Sequence, residues 1–520
     1  MRKLLPLFAF GLGFAIALYP KSTLWDIFYL THIHFLVWGI FAAVVALSMP
    51  VIKRCSLKGH WLPLALLAAV GVFDVVVYRP MWRVLNDDAV IASTATTLTL
   101  KGSLGFPLNF AQFSAQGQLK NTDIYPAKRP AGLPALGTLL NYVHYSPFAT
   151  VHVNTALLFA LALSQYLFFS RYSRIGSFLV SVLMLITPAV REVFLGGGLE
   201  PLFLACAAVT VMSLLSANPA FKRLGMAVGV LGCFSRYESF AFLVPAIFLL
   251  GWQTHTLKKL IPIMLLLGVV MGLQSVVYRA FGENDAVFTL AGWHANLTAI
   301  RQTLTIPYAL IPFGWADIAL VLAALFLLRK RHLCSAMLVP LLMIGFFCTV
   351  LLLFSWPINH YNMWRFLAFL LLPLMWFLFL NPNRYVLCGL IALQIIAGTR
   401  TQWMAATPNQ LICEQGILPL LKQAQRTEYV LTPRVSLLYP FRQSSAMIGT
   451  PFEGRVPKLG VDFFTRFQYV DSTGRRLDNK NTPLLPLFDT PQPMFKMEQY
   501  AESTASDSGV VVIVNYRRKQ

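Results

Sequence analysis

Long apolar runs, separated by short polar segments, occupy most of the first 400 residues. A helix that crosses the hydrocarbon core of a bilayer needs roughly 20 mainly apolar residues, and the pattern predicts about thirteen such helices. We expect them at 4–19, 29–50, 61–79, 148–168, 177–194, 201–215, 224–235, 240–252, 260–278, 306–328, 333–355, 366–380 and 385–399. The runs 224–235 and 240–252 are either one kinked element or two short helices that meet at a polar turn.

Three polar segments are much longer than the others: 80–147, 279–305 and the tail after residue 399. The tail has an ordinary soluble composition, with a helix-like stretch at 416–426 and strand-like runs at 428–432 and 510–516. The pattern predicts a polytopic α-helical membrane domain over 1–399, in which 80–147 is the first large outer loop. A small α/β domain is expected over 400–520.

The composition agrees with a membrane protein. Charged residues make up 12% of the chain, against roughly 25% in soluble domains, and hydrophobic residues make up 57%. The net charge of +21 would point to a nucleic-acid partner in a soluble protein. The seven cysteines show no CxxC or Cys/His spacing, which argues against a zinc site or a disulfide framework.

The basic residues are concentrated in alternate loops, and this distribution offers another explanation of the net charge. Fifteen of them lie at the N-terminus and in alternate loops, in segments without Asp or Glu: Arg2, Lys3, Lys53, Arg54, Lys58, Arg171, Arg174, Lys222, Arg223, Lys258, Lys259, Arg329, Lys330, Arg331 and Arg384. The positive-inside rule assigns these segments to the cytoplasm. The other loops and the tail then face outward, which requires an odd number of spans and favours two helices within 224–252. The charge is therefore mainly an orientation signal.

The N-terminus has two interpretations. Arg2 and Lys3 precede an apolar stretch that ends in Ala15-Ile16-Ala17, and this order resembles a signal peptide with its cleavage site. An uncleaved first helix is the interpretation that we favour, because signal peptides are rarer on proteins of this topology.

Acidic residues are scarce before residue 400, and none lies in a predicted cytoplasmic loop. The adjacent pair Asp87-Asp88 opens the first outer loop and precedes a helix-compatible stretch, 89–100. The pair either caps that helix, whose dipole favours anions, or supplies a general base. Adjacent residues do not share a helix face, so the second carboxylate would orient the acceptor, cap the helix or bind a metal ion.

Three further polar constellations lie at predicted outer turns: Gly196-Gly197-Gly198-Leu199-Glu200, Ser235-Arg236-Tyr237-Glu238 and Pro357-Ile358-Asn359-His360-Tyr361-Asn362-Met363-Trp364-Arg365. The glycines allow a tight turn or the close approach of a ligand. An ion pair between Arg236 and Glu238 is expected. Arg365 lies on the side that the positive-inside rule disfavours, and it is either a phosphate clamp or an interfacial anchor.

Other charged residues admit two interpretations each. Lys128 and Arg129, at the end of the first outer loop, either meet an anion or anchor at the headgroups. His360 is either a packed or surface histidine or part of a binding site with Arg365. Asp74 and Asp317 lie inside apolar runs, either as relay residues of a transporter or as neutral, hydrogen-bonded groups.

In order and spacing these motifs resemble those of the GT-C superfamily of membrane glycosyltransferases, nearest to the bacterial arabinofuranosyltransferases and related polyprenyl-phosphate-sugar-dependent enzymes. The matching segments are Asp87-Asp88-Ala89, Gly198-Leu199-Glu200-Pro201, Arg236-Tyr237-Glu238-Ser239 and Arg365-Phe366. They correspond to the family's DDAY-, GLET- and RPEG-like segments and to a late Arg-aromatic pair, over about residues 80–380. Pro201, Tyr237 and Ser239 depart from the family pattern, which weakens any assignment to a subfamily.

The resemblance implies an inverting sugar transfer at the outer face of a bacterial plasma membrane. The donor would be a sugar on a polyprenyl phosphate, and the acceptor a hydroxyl of a cell-envelope glycan, lipid or protein. Asp87 would be the base, with Asp88 second; Arg365 and Arg236 would bind the phosphate, with Lys128, Arg129 and His360 as weaker candidates. Glu200 and Glu238 would position the donor or the arginines.

Two alternatives and one cofactor question remain open. A divalent ion, Mg²⁺ or Mn²⁺, beside Asp87 and Asp88 is compatible with the resemblance, since some members of the superfamily need one and others do not. A transporter or flippase of lipid-linked sugars is the alternative from another class; it would favour acidic residues in mid-helix and inverted repeats. A ligase that transfers a whole glycan from a lipid carrier would share the same layout.

Overall fold

The structure is a computed structural model that describes part of the chain. The described residues are 4–18, 23–54, 57–78, 80, 82, 85–106, 111–113, 119–121, 125–126, 129–280, 314–329, 371–380, 382–405, 430–432, 445–447, 463–470, 476–477, 495–504 and 510–518. The predicted span 333–355, residues 281–305 of the predicted outer segment 279–305 and the helix-like stretch 416–426 lie outside them.

Helices dominate the described part of the chain. In order they are α1 (Leu5–Leu18), α2 (Thr23–Arg54), α3 (Trp61–Tyr78), α4 (Leu85–Lys101), α5 (Gly132–Val143), α6 (Ala149–Phe169), α7 (Arg174–Ile186), α8 (Pro188–Phe194), α9 (Glu200–Leu214), α10 (Pro219–Gly232), α11 (Ser239–Gln253), α12 (Leu257–Ala280), α13 (Gly314–Arg329), α14 (Leu371–Leu380) and α15 (Arg384–Ala405). With the exception of α4 and α5, they fall on apolar runs that the sequence pattern selects.

Four of the described helices are long and apolar enough to cross a bilayer. Their qualifying segments are Ile27–Lys53, Trp61–Tyr78, Ala149–Phe169 and Leu257–Gln274, and α7 with α8 makes a fifth if the bent pair is one span. Large apolar side chains point outward from these helices; Phe35, Trp61 and Val76 are 59%, 67% and 67% exposed. A mostly helical chain with such faces fits a membrane environment.

Helices α1 and α12 pack closely because glycines line their contact. A Cβ atom on Gly13 would collide with the backbone of Leu265, and one on Gly268 would collide with the carbonyl oxygen of Phe10. Small residues at such positions let two helix backbones approach each other, which is how helices associate in lipid without a hydrophobic driving force.

The predicted single span 177–194 is two helices, and this corrects the sequence analysis. Helix α7 ends at Ile186, α8 begins at Pro188, and the two axes differ by 65°. Pro188 cannot donate a backbone hydrogen bond, and it disfavours helical backbone at the preceding residue. Thr187 accordingly has extended backbone angles, φ −65° and ψ 117°. In contrast, α10 and α11 are separate helices joined by a polar turn, as one of the two interpretations predicts.

The chain divides into two compact units. The first comprises Met1–Pro80, Lys128–Leu136 and Val151–Thr401, and the second comprises Met81–Ala127, Gly137–Thr150 and Gln402–Gln520. Most residues of the predicted first outer loop therefore group with the tail.

The second unit contains the strands. They are β1 (Gly105–Phe106), β2 (Ala111–Phe113), β3 (Leu119–Asn121), β4 (Tyr125–Pro126), β5 (Val430–Thr432), β6 (Ser445–Met447), β7 (Phe463–Val470), β8 (Arg476–Leu477), β9 (Phe495–Thr504) and β10 (Val510–Arg518). The tail strands form a six-stranded mixed sheet in the order β6-β5-β7-β10-β9, with β8 beside β7. Strand β5 is parallel to β6 and β7, whereas β10 is antiparallel to β7 and β9. The predicted strands 428–432 and 510–516 correspond to β5 and β10.

Candidate functional site

Arg236 lies between two carboxylates in the first unit. Its Nη1 donates to Oε1 of Glu200 at 2.5 Å. Its Nε donates to Oε2 of Glu238 at 3.1 Å, and its Nη2 donates to Oε1 of the same residue at 3.2 Å. The contact to Glu238 is therefore bidentate, the geometry that matches a guanidinium fork to a carboxylate. The expected ion pair between Arg236 and Glu238 is present, and Glu200 joins it.

The turn that carries Arg236 is held by backbone and hydroxyl hydrogen bonds. Helix α10 ends at Gly232, and α11 begins at Ser239. The Ser239 hydroxyl donates to the carbonyl oxygen of Arg236 at 2.5 Å. From α5, the backbone N–H of Gly132 donates to the carbonyl oxygen of Phe234 at 2.9 Å. A Cβ atom on Gly132 would crowd that oxygen, so the contact depends on glycine.

The electrostatics of the cluster favour charged groups despite their burial. The side chains of Glu200, Arg236 and Glu238 are 2%, 15% and 15% exposed. Burial by itself raises the pKa of the Glu238 carboxyl, but the charge and hydrogen bonds of Arg236 outweigh it, so the pKa lies below its ordinary value. Glu200 is the first residue of α9, where the positive end of the helix dipole also favours a carboxylate.

The side-chain amide of Asn154 contacts the triglycine turn before Glu200. In α6, the Nδ2 of Asn154 donates to the carbonyl oxygens of Gly196 and Gly198, each at 2.8 Å. Asn154 is fully buried, and residues 195–199 of the turn are buried as well. A buried carbonyl needs a hydrogen-bond donor, and Asn154 supplies two. This contact positions the chain immediately before Glu200.

A second buried charge pair lies in the same unit. The NH1 nitrogen of Arg191, in α8, is 3.9 Å from Oδ1 of Asp74, in α3, and each side chain is 3% exposed. The guanidinium carbon of Arg191 lies 3.2 Å from the ring centroid of Tyr78. Ionisable residues buried in apolar helices are usually functional or paired, and this pair is both buried and placed beside the α7–α8 break.

The Asp87-Asp88 pair lies in the second unit, within the first turns of α4. This helix begins at Leu85, slightly before the start that the sequence analysis expects. Asp88 is buried, with 1% exposure, and the side chain of Asp87 lies outside the described residues. Polar contacts join α4 to α5. Thr138 donates to the carbonyl oxygen of Ala95 at 3.0 Å, and Asn141 donates to Oγ1 of Thr99 at 3.3 Å.

The remaining predicted site residues are only partly described. Arg129 is half-buried and has a polar or electrostatic partner. Lys128, His360 and Arg365 lie outside the described residues. Within the described ranges, no three His, Cys, Asp or Glu side chains lie close enough to share a metal ion.

Sequence reasoning missed two residues of this unit. Arg191 lies inside a predicted span, and a charged residue there is itself a signal of function. Asn154 is an amide within the apolar run 148–168, a weaker signal, because a lone amide is often a packed polar residue. The contacts of both residues depend on helices that are distant in the chain.

Comparisons with known proteins add no family assignment. No protein-family model matches the chain, and no curated protein sequence matches it.

Proposed function

We propose that the chain is an inverting membrane glycosyltransferase of the GT-C type. It would move a sugar from a polyprenyl phosphate to a hydroxyl of a cell-envelope glycan, lipid or protein. The proposal rests on the resemblance of four motifs in order and on the contacts between two of them.

The observation that carries the proposal is the contact between Arg236 and Glu200. These residues are 36 positions apart and belong to separate motifs, and their side chains meet at 2.5 Å. A chance resemblance gives no reason for the two motif residues to touch. Because Glu238 of the same motif completes the cluster, the contact supports one polar site built from the turns before α9 and α11.

The proposed chemistry follows from the residue types. A carboxylate of the Asp87-Asp88 pair, Asp87 first, takes the proton from the acceptor hydroxyl, a role typically worth about 10²–10⁴-fold in rate. The acceptor oxygen then forms a bond to the anomeric carbon while the bond from that carbon to the phosphate oxygen breaks. Polyprenyl phosphate leaves as an anion, so no general acid is required.

Positive groups stabilise the departing phosphate in this proposal. Electrostatic stabilisation of developing charge is often the largest contribution to catalysis. We assign this role to Arg365 and Arg236, with Lys128, Arg129 and His360 beside them. Since Glu200 and Glu238 contact the Arg236 guanidinium from two sides, their proposed role is to keep it correctly oriented.

The proposal includes the finer layout that the sequence predicts. About thirteen spans would place the catalytic face and the C-terminal α/β domain outside the plasma membrane of a bacterium. A Mg²⁺ or Mn²⁺ ion beside Asp87 and Asp88 remains part of the proposal only as an option for the experiment to decide.

A flippase or transporter of lipid-linked sugars is the second candidate. Two observations favour it: the buried pair of Asp74 and Arg191, and the 65° break between α7 and α8. Broken helices with charged residues are typical of the substrate sites of secondary transporters. It would move the lipid across the bilayer without forming a glycosidic bond.

The decisive experiment is a transfer assay in membranes with a panel of radiolabelled polyprenyl-phosphate sugars, with and without a chelator. Wild type is compared with Asp87→Asn, Asp88→Asn and Arg236→Lys. Arg223→Lys is the matched control, since Arg223 is an exposed arginine on α10 away from the cluster.

We expect one sugar to be transferred, with a loss of at least about 10²-fold in Asp87→Asn or Asp88→Asn and none in Arg223→Lys. Arg236→Lys should lose activity because a lysine ammonium cannot pair with two carboxylates in fork geometry. If both Asp variants transfer as well as wild type, the catalytic assignment is wrong. Movement of labelled lipid across proteoliposomes without a new glycosidic bond would instead support the flippase.

A further inference from the structure

We infer that Asn154 is a positioning residue for the Glu200–Arg236 contact, acting through the triglycine turn. The effect of Asn154 on catalysis rests on the proposed function. Its effect on the conformation of the triglycine turn does not, and it can be measured without an activity assay.

The three glycines of the turn have no side chains that could fix its backbone conformation. Gly196, Gly197 and Gly198 are all buried, and glycine has more backbone freedom to lose than any other residue. Two of their carbonyl oxygens receive the amide hydrogens of Asn154, at 2.8 Å each. Within the described part of the chain, the Oδ1 of Asn154 has no partner, so these two contacts are the hydrogen bonds that its side chain makes there.

The other half of the cluster is held independently of Asn154. The turn of Arg236 is anchored by the N–H of Gly132 and by the hydroxyl of Ser239. The Glu238 carboxylate accepts two hydrogen bonds from the Arg236 guanidinium. A change at Asn154 therefore acts on the Glu200 side of the contact and leaves the Arg236 side in place.

The triglycine turn lies directly before Glu200 in the sequence. Gly198 is two residues before Glu200, which begins α9. The charge-assisted hydrogen bond from Arg236 to Glu200 depends on where the carboxylate lies, because such a bond weakens steeply with distance and angle. Loosening the turn should thus separate Glu200 from Arg236 while α9 itself remains folded.

The same helix offers a matched control. Gln165 is another buried amide of α6, with 1% exposure. Neither its Nε2 nor its Oε1 has a hydrogen-bond partner within the described part of the chain. Gln165→Leu therefore removes a buried amide from α6 without removing any hydrogen bond to the turn.

The first experiment measures hydrogen–deuterium exchange of the purified protein in detergent. In Asn154→Leu, amides of the segment 195–200 should exchange at least about tenfold faster than in wild type, because two hydrogen bonds to the turn are lost. Gln165→Leu should leave that segment unchanged. If leucine does not fit and the variant fails to fold, Asn154→Ala removes the same donors with a smaller side chain. Unchanged exchange at 195–200 in a folded Asn154 variant would overturn the inference.

The second experiment uses transfer kinetics once a donor sugar has been identified. We expect Asn154→Leu to raise the donor KM or lower kcat about tenfold. Asn154→Gln, which keeps both amide donors, should recover part of the loss. In a Glu200→Gln background the same change should add little, because its effect runs through Glu200; full additivity would contradict the positioning role.

The two experiments separate the two proposals. If wild type transfers no sugar but exchange at 195–200 responds to Asn154, the proposed function fails and the structural role of Asn154 stands. If transfer is present but exchange and the double-mutant cycle show no effect of Asn154, the positioning role fails and the proposed function stands.

Discussion

Arg191 and Asp74 are buried together, yet they do not make a direct hydrogen bond. The shortest distance between NH1 of Arg191 and Oδ1 of Asp74 is 3.9 Å, beyond hydrogen-bonding range. Within the described residues, Nε of Arg191 and Oδ2 of Asp74 have no hydrogen-bond partner. The Arg191 guanidinium therefore faces the Asp74 carboxyl group without a direct hydrogen bond, and it also lies over the face of the Tyr78 ring, which attracts a cation.

The first prediction concerns the removal of one charge from this pair. Arg191→Met should lower the stability of the protein by about 3–5 kcal/mol, because it leaves the Asp74 carboxylate buried without a counter-charge. The double change Asp74→Leu with Arg191→Met should be close to wild type, since an apolar replacement of both partners removes both desolvation penalties. Thermal unfolding in one detergent measures both variants. An Arg191→Met protein as stable as wild type would show that the pair has no stabilising role.

The second prediction concerns pH and Glu238. Arg236 holds the pKa of this carboxyl below its ordinary value of 4.5, so the folded state binds its proton less readily than the unfolded state. The stabilisation is therefore fully present above about pH 4.5, and it is lost as the pH falls through the lower pKa of the folded state. Glu200 also faces Arg236.

Thermal unfolding of wild type and Glu238→Gln between pH 7 and pH 3 isolates the contribution of Glu238. Glu238→Gln should be less stable at pH 7, and the difference should shrink as the solution becomes acidic. Gln165→Leu, which changes no titratable group, should differ from wild type by the same amount throughout. A constant difference between Glu238→Gln and wild type would contradict the lowered pKa.

The third prediction concerns the side of the membrane that the tail occupies. Cys413 is the only cysteine after residue 400, and the basic loops predict that it faces outward. In a protein with the other six cysteines replaced, a membrane-impermeant maleimide should label Cys413 in intact cells. A cysteine introduced by Arg223→Cys, in a predicted cytoplasmic segment, should be labelled only in inside-out vesicles. The reverse pattern would invert the topology and exclude an outer catalytic face.

The positions of most helices follow from the sequence alone, because apolar segments prefer the bilayer and polar segments prefer water. The pairing of Arg236 with Glu238 is similarly local, since the two residues share one turn. The break at Thr187 was also encoded locally: Pro188 excludes a continuous helix, although an apolar run on both sides of it reads as one span. The strands β5 and β10 fall on runs of strand-forming residues that the sequence analysis selects.

The contacts that organise the site were decided only by the tertiary structure. Asn154 and the glycines that it holds are 42 and 44 residues apart, and Arg236 and Glu200 are 36 apart. No periodicity in the sequence relates such positions, because their meeting depends on how the helices pack against each other. The sequence by itself determined which segments are apolar, which loops are basic and where charged residues are rare. The packing decided that Arg236 joins Glu200 and Glu238, that Asp74 faces Arg191, and that the amide of Asn154 contacts the triglycine turn.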